Sequence, residues 1–335
     1  MIENFRQSLR NNTTSYKFTF ALAFLQTFKK RREPKIPIED LGRYMALKYY
    51  ETNKRYRLRE ISNPSTPPAI VQLIETYLGD QGMDPNEWVK LDRQQIAQLT
   101  ACVTTAKGAA SPFRYVMACF ETAKKLSPGK RAYHYPSEGQ NHFFAYNKRG
   151  VTLTNAFVKA LDTHSIDLYT DLAVLGWARF LETFNSVPAL IGKISDEPPK
   201  RHLRKFTSLV REIPDFESGT CFLCQKPLAR SELSLDHMVP FDYVYSDDLW
   251  NLVPAHKTCN STKNMRVGSE GMLERLTNRN RMLFRRGDSH EKLRRSINTH
   301  FRSEQELTDR LRTLYQGALS AGYRVWPNQG GGETP

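Results

Sequence analysis

The chain lacks any apolar run of the roughly 18–20 residues that a membrane-spanning helix requires. The longest candidate, residues 18–25, ends just before the basic cluster Lys29, Lys30, Arg31 and Arg32. A secretory signal carries its basic residues first and a small-residue cleavage site last, so this stretch is expected to be a core helix. Cysteine is scarce: five in 335 residues, three of them between positions 221 and 259. An odd, clustered set does not build a disulfide scaffold and fits a reducing, cytoplasmic setting. Acidic residues are the third shortage. Forty-nine Lys and Arg face 35 Asp and Glu, a formal charge of +14, which points to polyanionic partners, nucleic acid first and an anionic membrane second; DNA is the expected partner, with no membrane. Internal repeats are also missing, and the one low-complexity block is the glycine-rich stretch before Pro335. What remains is a globular composition, 39% hydrophobic and 25% charged, on a chain long enough for two domains.

Periodicity predicts an α+β protein: a mainly helical domain over 1–194, for target recognition or regulation, followed by a smaller mixed module. Tyr16, Phe18, Leu22, Leu25 and Phe28 recur at helical spacing behind Thr13 and Thr14 as candidate N-caps. Further helices are expected over 38–50, from Ile70 onward, over 92–106, over 112–126 and from Asn155 to about Ile194. Residues 142–146 and 151–153 flank a turn at Asn147–Gly150 and read as a hairpin. Cys102 and Cys119 read as buried core thiols. Residues 195–212 form a linker and short basic helix, 269–320 basic helices, and 321–335 a disordered tail.

Between these lies the segment 213–268, where Cys, His, Asn and Asp replace the Phe/Leu period. Cys221 and Cys224 make one pair, and His256 and Cys259 a second, each two residues apart. The first pair alone could be a redox couple; the second favours a structural Zn²⁺ with four N/S ligands. Zinc has no use for Asp236, His237 and Asn260, which fall between and beside the pairs. Asp236 and the Asn260 carbonyl oxygen are hard ligands suited to Mg²⁺ or Mn²⁺, and a histidine is the side chain that can take a proton from water near neutral pH. Singly, each has a plainer reading: an Asp–His surface pair, or an Asn capping a helix. Residues 233–239 read as a strand ending at Pro240, residues 250–253 as the returning strand, and residues 260–265 as the start of a helix. Neighbours on a strand face opposite ways, so Asp236 and His237 can meet at one site only if one leaves the pleat.

The Asp236–His237 pair with Pro240, the central Asn251 and Leu252, and Cys259–Asn260 with Lys263 resemble the HNH endonucleases of the ββα-metal fold in their zinc-stapled variety. The resemblance implies His237 as general base, Asp236 and Asn260 as ligands of the catalytic ion, and Asn251 as the residue that orients the loop. It departs from the commonest pattern twice: Asn260 stands where many members have His, and His256 where Cys is usual. It implies DNA phosphodiester hydrolysis, in the setting of restriction or antiviral defence. A second copy of the chain or partner proteins of a defence system fit that setting. RNA cleavage and a non-catalytic zinc module are the alternatives.

DNA affinity must come from outside the motif. Residues 214–260 hold three Lys/Arg against seven acids, whereas 261–300 hold ten against four and 1–60 fourteen against six. Arg281, Arg285 and Arg286 are the first candidates for phosphate contacts. Lys263, about one helical turn past Asn260, is a weaker one. Arg55 and Arg57, interleaved with Tyr49, Tyr50 and Tyr56, are candidates in the N-terminal region.

Overall fold

The computed structural model describes residues 1–10, 14–61, 66–107, 111–120, 137–197, 201, 203, 206, 219–285 and 291–326. The chain divides into two units, one of Met1–Asn185 with Lys193–Ser195, the other of Ser186–Gly192 with Asp196–Pro335. Among the described residues no helix is long and apolar enough to cross a membrane.

The first unit is built on helices α1 (Ile2–Ser8), α2 (Tyr16–Arg31), α3 (Ile38–Tyr50), α4 (Ala69–Asp80), α5 (Arg93–Thr105), α6 (Pro112–Cys119), α7 (Asn155–His164) and α8 (Ile166–Glu182). A four-stranded sheet joins them: β1 (Lys35–Pro37), β2 (Gly139–Gln140), β3 (Phe144–Asn147) and β4 (Gly150–Leu153), in the order β1-β4-β3-β2. Every residue of α2 from Tyr16 to Leu25 is buried. It is apolar almost all round and therefore central, packed by α3 and α8. Phe5, Phe24, Phe120, Phe143, Phe144 and Phe157 meet around it with ring centroids 5.1–6.5 Å apart, mostly edge to face as aromatic quadrupoles prefer. The expected hairpin pairs Asn147 with Gly150. Gly150 has φ +137°, and a Cβ there would strike the Ile36 carbonyl oxygen, so glycine is required.

Three expectations are corrected here. The N-cap of α2 is Ser15, not Thr14, and no side chain caps the helix; Ser15 instead bonds the Tyr49 hydroxyl at 2.7 Å. Thr13 lies outside the described residues. Cys102 is half-buried rather than a core thiol, because α5 turns only Leu99 and Val103 fully inward; the Cys119 side chain falls outside the described part of the chain. The aromatics near Arg55 and Arg57 are not stacking platforms, since Tyr49, Tyr50 and Tyr56 are all buried in the core.

A short helix, α9 (Leu190–Ile194), lies where the chain passes between the units. The second unit continues with β5 (Leu233–His237), α10 (Phe241–Val244), β6 (Leu252–His256), α11 (Lys257–Lys263), β7 (Val267–Gly268), α12 (Glu270–Arg285), α13 (Glu291–Asn298), α14 (Glu304–Ser320) and β8 (Val325–Trp326). β5 and β6 pair antiparallel, and β7 pairs parallel with β8. The returning strand therefore starts at Leu252, two residues later than expected, because 249–251 form a 3₁₀ turn. The helix starts at Lys257, three residues earlier, with His256 as N-cap. Residues 321–326 are not a tail: Tyr323 and Trp326 are buried, and Val267 N–H donates to the Arg324 carbonyl at 2.8 Å. Residues 327–335, most of the expected basic helix in 201–212, and Arg286 lie outside the described residues. Arg279 of the basic stretch is a core residue, donating to the carbonyl oxygens of Leu252 (2.7 Å) and Leu249 (3.2 Å).

Candidate active site and zinc centre

The first cysteine pair sits on a tight turn. Cys221 N–H donates to the Lys226 carbonyl and Gln225 N–H to the Cys221 carbonyl, both at 2.8 Å, with Gln225 in the left-handed region at φ 60°. Phe222 N–H reaches the Pro254 carbonyl at 2.8 Å, tying that turn to β6. His256 ends β6, and Cys259 follows in the first turn of α11. The four ligand atoms of Cys221, Cys224, His256 and Cys259 lie within 4.8 Å of one another. His256 Nδ1 is 3.4 Å from Cys224 Sγ and 3.7 Å from Cys259 Sγ. These separations suit a tetrahedral ion with bonds of about 2.0–2.3 Å. The far ring nitrogen, Nε2, lies 2.9 Å from the Pro227 carbonyl; donating there leaves Nδ1 unprotonated for a metal. Burial and the neighbouring Cys224 and Cys221 sulfurs push the Cys259 thiol up to about 12. A divalent cation among the sulfurs would relieve that crowding.

The second centre lies at the other end of the β5–β6 pair. Register sets Asp236 opposite Val253 and His237 opposite Leu252. β5 stops at His237, and Met238 N–H bonds the Asn251 carbonyl at 2.9 Å. The Asn251 side chain then brackets Val239 with both its polar atoms: Oδ1 accepts from Val239 N–H at 2.8 Å and Nδ2 donates to its carbonyl at 2.7 Å. Asp236 and His237 both line one open pocket although both stay within the β5 ladder, so neither leaves the pleat as expected; the pocket wraps the end of the strand, where His237 is its last residue. Asn260, Ser234, Phe241 and Lys257 line it too, around a volume of ≈ 330 Å³. Asn251 is fully buried and does not line the pocket.

Asn260 Nδ2 donates to Ser234 Oγ at 2.7 Å and to the Leu235 carbonyl at 3.1 Å. The carbonyl oxygen of that side chain is the atom left for a cation. Asp236 is 5% exposed, and burial pushes its carboxyl above the ordinary value although Lys263 pulls the other way. Lys263 Nζ lies 3.0 Å from Asp236 Oδ2 without hydrogen-bond alignment; its aligned bond goes to the His237 carbonyl at 2.6 Å. A buried carboxylate oxygen with no aligned donor, on a pocket that Asn260 also lines, fits a hard divalent ion.

Of the residues expected from sequence, Asp236, His237 and Asn260 come together, with Asn251 behind them. Lys263 is corrected from a surface phosphate contact to a fully buried ion pair, because its face of α11 packs on β5. Arg281 and Arg285 do not line the pocket: Arg281 Nε donates to Thr308 at 3.1 Å, and exposed Arg285 pairs with Glu304. In the first unit, Arg55 pairs with Glu51 at 2.9 Å, and Arg57 donates to the Asn86 carbonyl. Sequence reasoning missed Asp247, 3.0 Å from His237 Nε2, and Arg201 behind it. No spacing rule joins those positions; adjacent acids in the loop 246–248 were the sole signal.

No curated protein and no solved structure matches the chain. A family model does, over residues 221–269, the stretch that carries the four sulfur and nitrogen ligands together with Asp236, His237, Asn251 and Asn260. By that match, this segment is similar to the HNH endonucleases.

Proposed function

We propose that the protein is a metal-dependent endonuclease that hydrolyses DNA phosphodiester bonds. The observation that carries the reading is the convergence of Asp236, His237 and Asn260 on one open pocket at the end of a strand pair. Asp236 and the Asn260 amide oxygen would hold Mg²⁺ or Mn²⁺. Bound there, the ion supplies charge neutralisation at the scissile phosphate and at the departing ester oxygen. His237 accepts a proton from water as the water oxygen bonds to phosphorus and the ester bond breaks. Asn251 keeps the chain beyond His237 in place, and the Cys3His zinc set braces the opposite end of the same strands.

The exposed cations of α12 support a role in holding the polyanion, and the helical first unit a role in target choice or regulation. Restriction or antiphage defence is the setting in which we place this combination. Incubating supercoiled plasmid with the protein, with and without Mg²⁺ or Mn²⁺, tests the reading: nicked or linear product should form only with the ion. His237→Ala should lower the rate by about 10²–10⁴-fold with zinc content and DNA binding unchanged. Cleavage by that variant at the unmodified rate overturns the assignment of the base. RNA cut in preference to DNA under the same conditions replaces the substrate.

A further inference from the structure

We propose that Asp247 is a positioning residue for His237, setting which ring nitrogen is free to take the proton; the inference rests on the hydrolytic reading of the pocket. His237 is 6% exposed, and its Nε2 faces Asp247 Oδ1 at 3.0 Å. The Asp247 side chain is 3% exposed and is not among the groups that line the pocket. It therefore meets the imidazole on a nitrogen other than the one offered to water. The contact is short but the N–H is not yet in line with the oxygen. Catalytic hydrogen bonds are often loose before substrate binds and tighten in the complex.

The carboxylate is fixed from its other side. Arg201 Nε lies 3.1 Å from Asp247 Oδ1 and 3.2 Å from Oδ2. The same guanidinium stands 3.8 Å over the Phe241 ring, and Phe241 meets His237 edge to face at 5.5 Å. A buried carboxylate is costly unless a cation compensates it. Arg201 supplies that compensation for a carboxylate at Asp247. An ionised carboxylate only accepts hydrogen bonds. It therefore favours the tautomer with the proton on Nε2 and leaves the Nδ1 lone pair as the base. Asn251 and Asp247 act on different parts of the same residue, since the first holds the backbone after His237 and the second the ring.

The test uses the full chain with ¹⁵N-labelled histidine imidazoles, His237 being assigned by its loss in His237→Gln. At alkaline pH, where the ring is neutral, the unmodified protein should show a protonated Nε2 and a bare Nδ1. Asp247→Ala should mix the tautomers and lower kcat by about 10²-fold with KM changed less than about twofold. Asp247→Asn separates positioning from packing. The amide keeps the shape, but Arg201 claims its oxygen, so the NH₂ is turned to His237 and drives the proton to Nδ1. Rate loss in this near-isosteric variant at least as large as in Asp247→Ala supports the inference. Full activity in Asp247→Asn, or a protonated Nδ1 in the unmodified protein, overturns it. Should the unmodified protein cleave no nucleic acid, the hydrolytic reading fails, while the tautomer spectra still decide whether Asp247 sets the ring.

Discussion

Lys263 Nζ lies 3.0 Å from Asp236 Oδ2, and neither side chain is more than 6% exposed. An ammonium thus shares a carboxylate with the position proposed for the catalytic ion. Removing one member of a buried pair strands the other charge and costs about 3–5 kcal/mol. Lys263→Met should therefore lower the thermal midpoint markedly. Added Mn²⁺ should recover more stability in this variant than in the unmodified protein, because the ion then becomes the one compensating charge for Asp236. Equal Mn²⁺ shifts in thermal melts of the two proteins would separate Asp236 from the metal.

The zinc assignment predicts about one zinc per chain by elemental analysis. Cys224→Ser should lose it, and with it hydrogen-exchange protection of β5 and β6, since the turn carrying Cys221 is tied to β6 through Phe222 and Pro254. Folded, active and zinc-free protein would sink the assignment.

Glu60, in the first unit, predicts a pH dependence remote from either centre. It is fully buried, accepting from Thr52 Oγ1 at 2.7 Å and from Trp177 Nε1 at 3.4 Å. Burial pushes its carboxyl above the ordinary value despite these donors and Lys48. A raised carboxyl binds its proton more tightly in the folded state. Its contribution to stability is therefore full below the unfolded value of about 4.3 and falls as pH rises towards the folded value. Glu60→Gln should flatten the fall in stability above that point. Denaturant titrations of both proteins across the acid-to-neutral range check it; parallel curves would mean that Glu60 does not titrate in this window.

Polyanion binding should rest on the basic side chains in the last turns of α12. Arg281→Glu with Arg285→Glu should weaken DNA binding similarly for all sequences and reduce the slope of log K against log salt by about 1 for each phosphate no longer neutralised. Arg55→Glu with Arg57→Glu should change it less, or only for particular substrates, if the helical first unit serves target choice rather than general phosphate contact. An unaltered salt slope for the α12 variant would make those last turns a solvated surface only.

The zinc set was readable in the sequence because tetrahedral ligation restricts both residue type and spacing, and two knuckles leave few alternatives. Asp236, His237 and Asn260 were readable for a related reason: their chemistry narrows what a group so placed can do. Lys263 departs from expectation because polarity argues for the surface, whereas α11 packs on β5, which offers the Asp236 carboxylate and the His237 carbonyl to its ammonium. Asp247 and Arg201 were invisible because their link to His237 runs through folded loops and obeys no periodicity. The strand at Val325–Trp326 is instructive. Its alternation of Tyr323 and Val325 with Arg324 and Trp326 is short, and with glycine on both sides it looked like tail. Two buried aromatic side chains outweighed that composition.

The parallel pair of β7 and β8 bears on the order of events during synthesis. Gly268 N–H, in β7, donates to the Met238 carbonyl at 3.2 Å, one residue beyond His237, while the same strand waits for Val325 and Trp326. At translation rates of about 5–20 residues per second, the chain between the two strands takes roughly 3–12 s to emerge. Parallel pairing across such a separation is itself slow to form. The strand that buttresses the loop after His237 is thus locked late, so the nascent chain carries Asp236 and His237 for seconds before this support is complete.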